Sequence, residues 1–277
     1  MANAKLTAHS VPASLFMKLN ARHLILDVML ASDAHVLSAK EAILACRIFD
    51  ISENSVRVAL VRLSAEGLIE GAGRGSYRLA DAARDLAGDI ATWRQAEQRL
   101  RPWQNDWLVV FSAGLGRSDR TALNRRERAL QMLGFRALDK GLHVRPNNIE
   151  KDVDAVRRRL HSLGLESDAS VFSASDWAPA REAEMLKLWD TQQLIEQYAA
   201  SQTHLRDWMA RAADLDPEVA ARECFLLGGK AIRQVIFDPL LPEPLVEAKV
   251  RQAFVQTVRE FDQLGHGIWR KLYDVDA

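Results

Sequence analysis

The chain has 277 residues, enough for two or three domains with a sizeable core, and its 48% hydrophobic and 27% charged content argues against a disordered or fibrous protein. Its 37 basic side chains are matched by 37 acidic ones, so a general affinity for nucleic acid is disfavoured and any such binding needs a locally basic face. No apolar run approaches the ~18 residues of a membrane span. Residues 1–7 show no apolar core of a secretory signal. Cys46 and Cys224 are too few and too far apart for a disulfide framework or a zinc cluster, so they are expected as buried, inert thiols. A cytoplasmic protein without a resident cofactor or metal is expected.

In chain order, Ser14 to Met29 places Leu15, Leu19, Leu26 and Met29 at helical intervals and predicts a first helix. A second helix is expected from Ser38 to Phe49. Ser38 and Glu41 form its capping-box pair, and Ala42, Ile43, Ala45 and Cys46 form its apolar face. After the turn Asp50-Ile51-Ser52, a third helix runs from Glu53 to about Glu66, capped by Ser52. Val56, Ala59, Leu60 and Leu63 make its buried stripe, leaving Asn54, Ser55, Arg57, Val58, Val61 and Arg62 to project elsewhere. Leu68-Ile69-Glu70 and Ser76-Tyr77-Arg78-Leu79 then pair across Gly71-Ala72-Gly73-Arg74-Gly75, whose glycines permit the positive φ angles of a tight tip. Two helices, a turn and a hairpin in that order predict a winged helix-turn-helix, which lays one helix in the major groove of duplex DNA and a hairpin beside it. The expected DNA-binding residues are Ser52, Asn54, Ser55, Arg57, Val58, Arg62, Arg74, Ser76 and Arg78. The first turn of the third helix would face base edges, and the arginines guanine edges or phosphates.

Asp81 to Arg101 reads as a polar, helix-compatible connector. From there Trp107–Phe111 predicts a strand buried on both faces, followed by a helix from about Asp119 to Leu133. Strands over Phe135–Leu138 and Leu142–Arg145, a helix carrying Val153, Val156 and Leu160, and a strand over Ala169–Phe172 complete a β-α-β-β-α-β order. That order predicts a ferredoxin-like domain. Between Arg117 and Arg145, eight basic residues stand against three acidic ones, which suits either a solvated helix face or phosphate contacts.

The remainder reads as helical. Leu194, Tyr198, Leu205 and Trp208 share a stripe, and Val219–Ile236 reads as a segment interrupted by Gly228-Gly229. The prolines of Asp238-Pro239-Leu240-Leu241-Pro242-Glu243-Pro244 force an extended turn. A long helix with Val246, Val250, Phe254, Val258 and Phe261 follows, and Gly265-His266-Gly267 is expected to stop it. Trp177, Trp189, Trp208 and Trp269 suit core or dimer-interface anchors, or the rim of an apolar cavity for an aromatic effector. The resulting fold class is multidomain α+β. Its expected parts are a winged helix over 1–84, a helical linker over 85–105, a ferredoxin-like domain over 106–175 and a helical domain over 176–277.

Four segments carry a resemblance to a known family: the helix motif Ile51-Ser52-Glu53-Asn54-Ser55-Val56-Arg57-Val58-Ala59-Leu60-Val61-Arg62-Leu63, Trp107–Phe111, Gly141-Leu142-His143-Val144-Arg145-Pro146, and Phe237-Asp238-Pro239-Leu240-Leu241-Pro242. Together they resemble the PaaX-type repressors of bacterial phenylacetate catabolism. The resemblance implies a homodimeric, non-enzymatic repressor of an aromatic-acid operon that binds a double-stranded operator and is released by an acyl-CoA thioester such as phenylacetyl-CoA. It also implies a middle domain like the small CRISPR-associated spacer-acquisition nucleases. Candidates for effector contacts are Arg125, Arg126, Trp189, Lys230, Arg233 and His266, with basic groups for the phosphates and the Trp-rich helical region for the acyl group. Two departures stand out. Ser112-Ala113-Gly114-Leu115-Gly116 lacks the carboxylate expected after the first middle-domain strand, and the hairpin is poorer in basic residues than is typical of the family. Two alternatives are a metal-dependent nuclease using Asp106 and Asp119 of the middle domain, and a winged helix that docks protein.

Overall fold

A computed structural model of the chain describes residues 20–31, 36–81, 93–116 and 118–275. These fall into two compact units: the residues within Met1–Ala87 together with those within Arg270–Ala277, and the residues within Gly88–Trp269.

The first unit contains α1 (Ala21–Ala31), β1 (Val36–Ser38), α2 (Ala39–Arg47), α3 (Glu53–Ala65), β2 (Ile69–Gly71) and β3 (Ser76–Leu79). The expected start of the first helix at Ser14, with Leu15 and Leu19, lies outside the described residues. The capping box forms as its residue types require: the Glu41 amide donates to the Ser38 hydroxyl at 3.1 Å, and the Ser38 amide to the Glu41 carboxylate at 2.6 Å. Asp50 takes a left-handed turn (φ 59°), which its short polar side chain tolerates, and Ser52 caps α3. Gly67 ends α3 in the left-handed conformation (φ 69°), with the Leu68 amide donating to the Leu63 carbonyl at 3.0 Å. Val56, Leu60 and Leu63 of α3 are buried with Leu24, Ile25 and Met29 of α1 and Ala42 and Cys46 of α2. The three strands form an antiparallel sheet in the order β1-β3-β2. β1 was not expected from the sequence, because three residues are too short a run to show alternation.

In the second unit, β4 (Trp107–Phe111), α4 (Arg120–Met132), β5 (Arg136–Asp139), β6 (Leu142–Pro146), α5 (Val153–Ser162) and β7 (Ser170–Ala174) follow the anticipated element order. Their antiparallel sheet runs β5-β6-β4-β7, which makes β4 an interior strand and explains its continuous apolar run. Alternate side chains of β4 feed two cores. Leu108 and Val110 pack with Ala129, Leu130 and Leu133 of the α4 segment and with Val156 and Leu160 of α5. Trp107 and Val109 join a second core with Tyr198, Leu205, Trp208, Phe254 and Phe261. The helices carrying that core are α6 (Pro179–Met185), α7 (Thr191–Arg211), α8 (Pro217–Ile236) and α9 (Ala248–Val275). A 3-10 helix, Trp93–Arg99, lies ahead of β4 and buries Trp93 and Ala96 in the same core.

Two expected breaks are corrected. Gly228-Gly229 does not interrupt α8, and Gly265-His266-Gly267 does not stop α9, which runs for 28 residues. The reason is energetic: a glycine inside a helix costs only about 1 kcal/mol, too little to stop a long helix held by tertiary packing. A Cβ on Gly228 would lie 3.4 Å from the Phe261 ring, and one on Gly265 would lie 3.7 Å from Cys224 Sγ, both ordinary contact distances.

The motifs around Arg145 and Asp238 pin the sheet to the helical layer. Arg145 is 1% exposed and donates to the carbonyls of Pro146 (2.9 Å) and Leu133 and to Asn148 Oδ1 (2.7 Å). Asn148 in turn donates to the Leu240 carbonyl at 2.8 Å. Asp238 is buried, accepts from the Tyr198 hydroxyl and takes the Leu240 amide at 2.7 Å. No helix among the described residues is long and apolar enough to cross a membrane.

Candidate nucleic-acid interface

The core stripe of α3 fixes what its other side presents. With Val56, Ala59, Leu60 and Leu63 buried, Asn54, Ser55, Arg57, Val58, Val61 and Arg62 are all exposed. Ser55, Val58 and Arg62 follow i, i+3 and i+7 spacing and line one ridge, flanked by Asn54 and Val61. Ser52, at the helix start, accepts the Ser55 amide at 3.4 Å, and the two hydroxyls lie 2.9 Å apart. Val61, 68% exposed, belongs to the ridge although the sequence set omitted it. Its spacing three residues after Val58 was the available signal.

The hairpin stands beside α3 because β2 packs against that helix. Its tip turns on Gly73 (φ 128°) and Gly75 (φ 67°), and the Gly75 carbonyl accepts the Ala39 amide at 2.8 Å, tying the tip to the start of α2. Arg74 and Arg78 are exposed and Ser76 is half-buried.

Two of the arginines are already paired. Arg57 reaches Glu53 one helical turn away at 2.5 Å, and Arg78 reaches Glu70 across the hairpin at 2.7 Å. Exposed pairs of this kind contribute at most about 1 kcal/mol, so both remain easily exchanged for another anion. Arg62 and Arg74 make no ion pair with a described residue and are the immediately available charges.

The effector candidates are scattered through the second unit and are occupied to different degrees. Arg126 is buried, donates to Glu166 at 2.5 Å and to the Gly116 carbonyl at 3.1 Å, and holds the Glu166 carboxyl below its ordinary value through that hydrogen bond. Arg125, one residue earlier, is exposed and its side chain lies along Gly164. Trp189 is 5% exposed, donates to the Gly134 carbonyl at 3.1 Å and stacks on Trp107. Lys230 is exposed, and Arg233 is half-buried over the Phe237 ring at 5.0 Å. Burial, with Arg128 nearby, lowers the Arg233 guanidinium from its usual value. His266 lies 3.7 Å from Asp262 in the next helical turn.

The basic run from 117 to 145 does not form one surface. Arg117 lies outside the described residues. Arg126 and Arg145 turn inward and Arg136 is half-buried, whereas Arg120, Arg125, Arg128 and Lys140 are exposed. Of the carboxylates considered for metal chemistry, Asp119 caps α4 by accepting the Thr121 and Ala122 amides at 2.8 and 3.1 Å, and Asp106 accepts from Asn147 at 2.5 Å. Among the described residues, no group of three His, Cys, Asp or Glu side chains is placed to hold a metal ion. Cys46 and Cys224 are free and buried, and burial pushes both thiols up to about 12.

Comparison with known proteins agrees segment by segment. Residues 21–83 match the PaaX-like protein family, residues 100–186 the PaaX protein central Cas2-like domain, and residues 189–271 the PaaX-like protein C-terminal domain. The chain is 32% identical over 212 residues to the transcriptional repressor PaaX of Escherichia coli (strain K12), a match spanning 71% of this chain and 63% of that protein. The fold resembles that of the uncharacterized protein Rv0674 from Mycobacterium tuberculosis, with a TM-score of 0.62 at 24% identity, over 92% of this chain and 99% of the other. Matched in all three of its segments, in order, the chain belongs to the PaaX-like protein family.

Proposed function

We propose that this protein is a DNA-binding transcriptional repressor, with α3 as its recognition helix and the β2–β3 hairpin as its wing. The carrying observation is the open ridge of Asn54, Ser55, Val58 and Arg62 on a helix whose opposite stripe is fully engaged in the core. An α-helix of this kind fits the major groove. Its N-terminal polar groups suit base edges, Val58 and Val61 suit thymine methyl groups, and Arg62 suits guanine. Arg74 at the hairpin tip suits the phosphate backbone or the minor groove. Three helices with the β1-β3-β2 sheet support reading this unit as a winged helix, and the β5-β6-β4-β7 order supports a ferredoxin-like middle domain.

In this reading a cytoplasmic homodimer presents two recognition helices to half-sites one helical turn, roughly 34 Å, or a multiple of it apart. The effector is an acyl-CoA thioester such as phenylacetyl-CoA, and the regulated operon is one of aromatic-acid catabolism. Release follows from its differential affinity for the conformer that does not bind DNA. The similarity to a named repressor supports the repressor role, and the family resemblance alone suggests these finer points.

The test is selection from random duplexes followed by fluorescence anisotropy on the winning sequence. The wild type is expected to enrich a two-part site. Arg62→Ala is expected to weaken binding by about 5- to 100-fold and relax preference at one base pair, whereas Arg74→Ala weakens all duplexes alike and flattens the salt dependence. Failure to enrich any sequence, or equal affinity of the Arg62→Ala protein, overturns the proposal.

A further inference from the structure

Val58 and Val61 are apolar side chains on the outer face of α3, 42% and 68% exposed. Neither serves the core, which takes Val56, Ala59, Leu60 and Leu63 from the same helix. Neither favours the helix itself, because the preceding turn restricts the χ1 of a β-branched residue and leaves valine a poorer helix former than leucine, lysine or glutamate. An apolar pair held in water on a face whose other members hydrogen-bond calls for a partner of matching chemistry.

The surroundings of the pair narrow that partner. Asn54 lies one helical turn before Val58 and Arg62 one turn after it, with Ser55 beside Asn54, and all three are exposed. Ala65, also exposed, follows Val61 by one turn and adds only a methyl group, so the far end of the helix can come close to whatever the valines touch. A protein docked here would have to bury Asn54, Ser55, Arg57 and Arg62 for the sake of a small apolar area. The major groove of a duplex suits all of them. It offers base edges to the polar groups, phosphates to the arginines and, as its chief apolar feature, the C5-methyl group of thymine. Along the helix axis Val58 and Val61 are separated by roughly 4.5 Å, near the rise of about 3.4 Å between successive bases of one strand. The two valines therefore suit neighbouring base pairs.

A valine side chain has no hydrogen-bonding group. It senses the methyl group but not the atom beside it, the O4 acceptor of thymine or the N4 donor of cytosine. We propose that Val58 and Val61 make α3 a reader of pyrimidine C5-methyl groups on neighbouring base pairs, accepting thymine and 5-methylcytosine alike and rejecting uracil and cytosine alike. The inference rests on the repressor reading and deepens it, from contact with thymine to a response to cytosine methylation. Each position contributes only the worth of one buried methyl group, so the two valines tune the choice of site while the polar groups and arginines supply the rest of the contact.

The test is fluorescence anisotropy of the full chain on the duplex that emerges from the random selection. Each thymine of one half-site is replaced singly by deoxyuridine, and each thymine–adenine pair by 5-methylcytosine–guanine or cytosine–guanine. At two neighbouring positions, uracil and cytosine are each expected to weaken wild-type binding by about 3- to 10-fold, while 5-methylcytosine stays within about twofold of thymine. These measurements use the wild type alone and do not depend on how a variant folds. Val61→Ala, at an exposed position where alanine favours the helix, is expected to bind thymine and uracil alike at one of the two positions and to keep the discrimination at the other. Val58→Ala is expected to show the converse. An enriched site at which uracil matches thymine at every position overturns the methyl reading and leaves the repressor reading standing. So does 5-methylcytosine that binds as weakly as cytosine, or a methyl dependence that survives both variants. Failure to enrich any sequence removes the repressor reading and the methyl reading with it.

Discussion

Arg145 shows how a charged residue can serve architecture. A guanidinium at 1% exposure has surrendered its hydration, and burial together with nearby Arg99 pulls its pKa down. It is retained because its planar fork donates to two carbonyls and to Asn148, which itself holds the Leu240 carbonyl. Replacing it with the similarly long but apolar side chain in Arg145→Met leaves the Leu133 carbonyl and the Asn148 amide oxygen buried without a donor. The expected cost is about 3 kcal/mol or more, read as a lower urea midpoint with an unchanged slope. Arg62 differs at the same scale. It lies on the surface with no ion pair to a described residue, so its removal is expected to alter DNA binding and leave the melting temperature almost untouched.

Among the elements, glycines separate what can be read from sequence from what cannot. Gly134 follows α4 at φ 71°, and a Cβ there would fall 2.7 Å from the Pro239 Cα. Gly229 lies inside α8 with nothing near its missing side chain. Gly134→Ala is therefore expected to lower stability by about 2 kcal/mol or more, and Gly229→Ala to raise it by up to about 1 kcal/mol, both measured by thermal melts. Local chemistry was legible: Ser38 with Glu41 and Ser52 before α3 announced helix starts, and Trp107–Phe111 announced an interior strand. So was the outer ridge of α3, which follows from periodicity once the buried stripe is known. The glycine pair of α8 and Gly265 of α9 were misleading. A glycine that ends a helix and one that a well-packed helix carries at a cost of about 1 kcal/mol look alike until the contacts of that helix, distant in sequence, are known.

At the scale of the whole molecule, the division into two compact units does not follow the order of the chain. α9 begins in the second unit, yet its end from Arg270 onward groups with the first, where Leu272 is buried and burial, with Glu41 nearby, raises the Tyr273 hydroxyl above its ordinary pKa. Ending the chain at Trp269 removes both side chains from that core. Loss of Leu272 alone is worth about 1.5–3 kcal/mol. Amide hydrogen exchange is expected to quicken across α1, α2 and α3 while β4 and β6 keep their protection. Equal protection in the truncated and complete chains would contradict a structural role for this last turn. The feature also bears on the order of events during synthesis: although α1, α2 and α3 leave the ribosome well before α9, their unit lacks Leu272 and Tyr273 until α9 has been made, so it cannot reach its finished packing as an independent early fold.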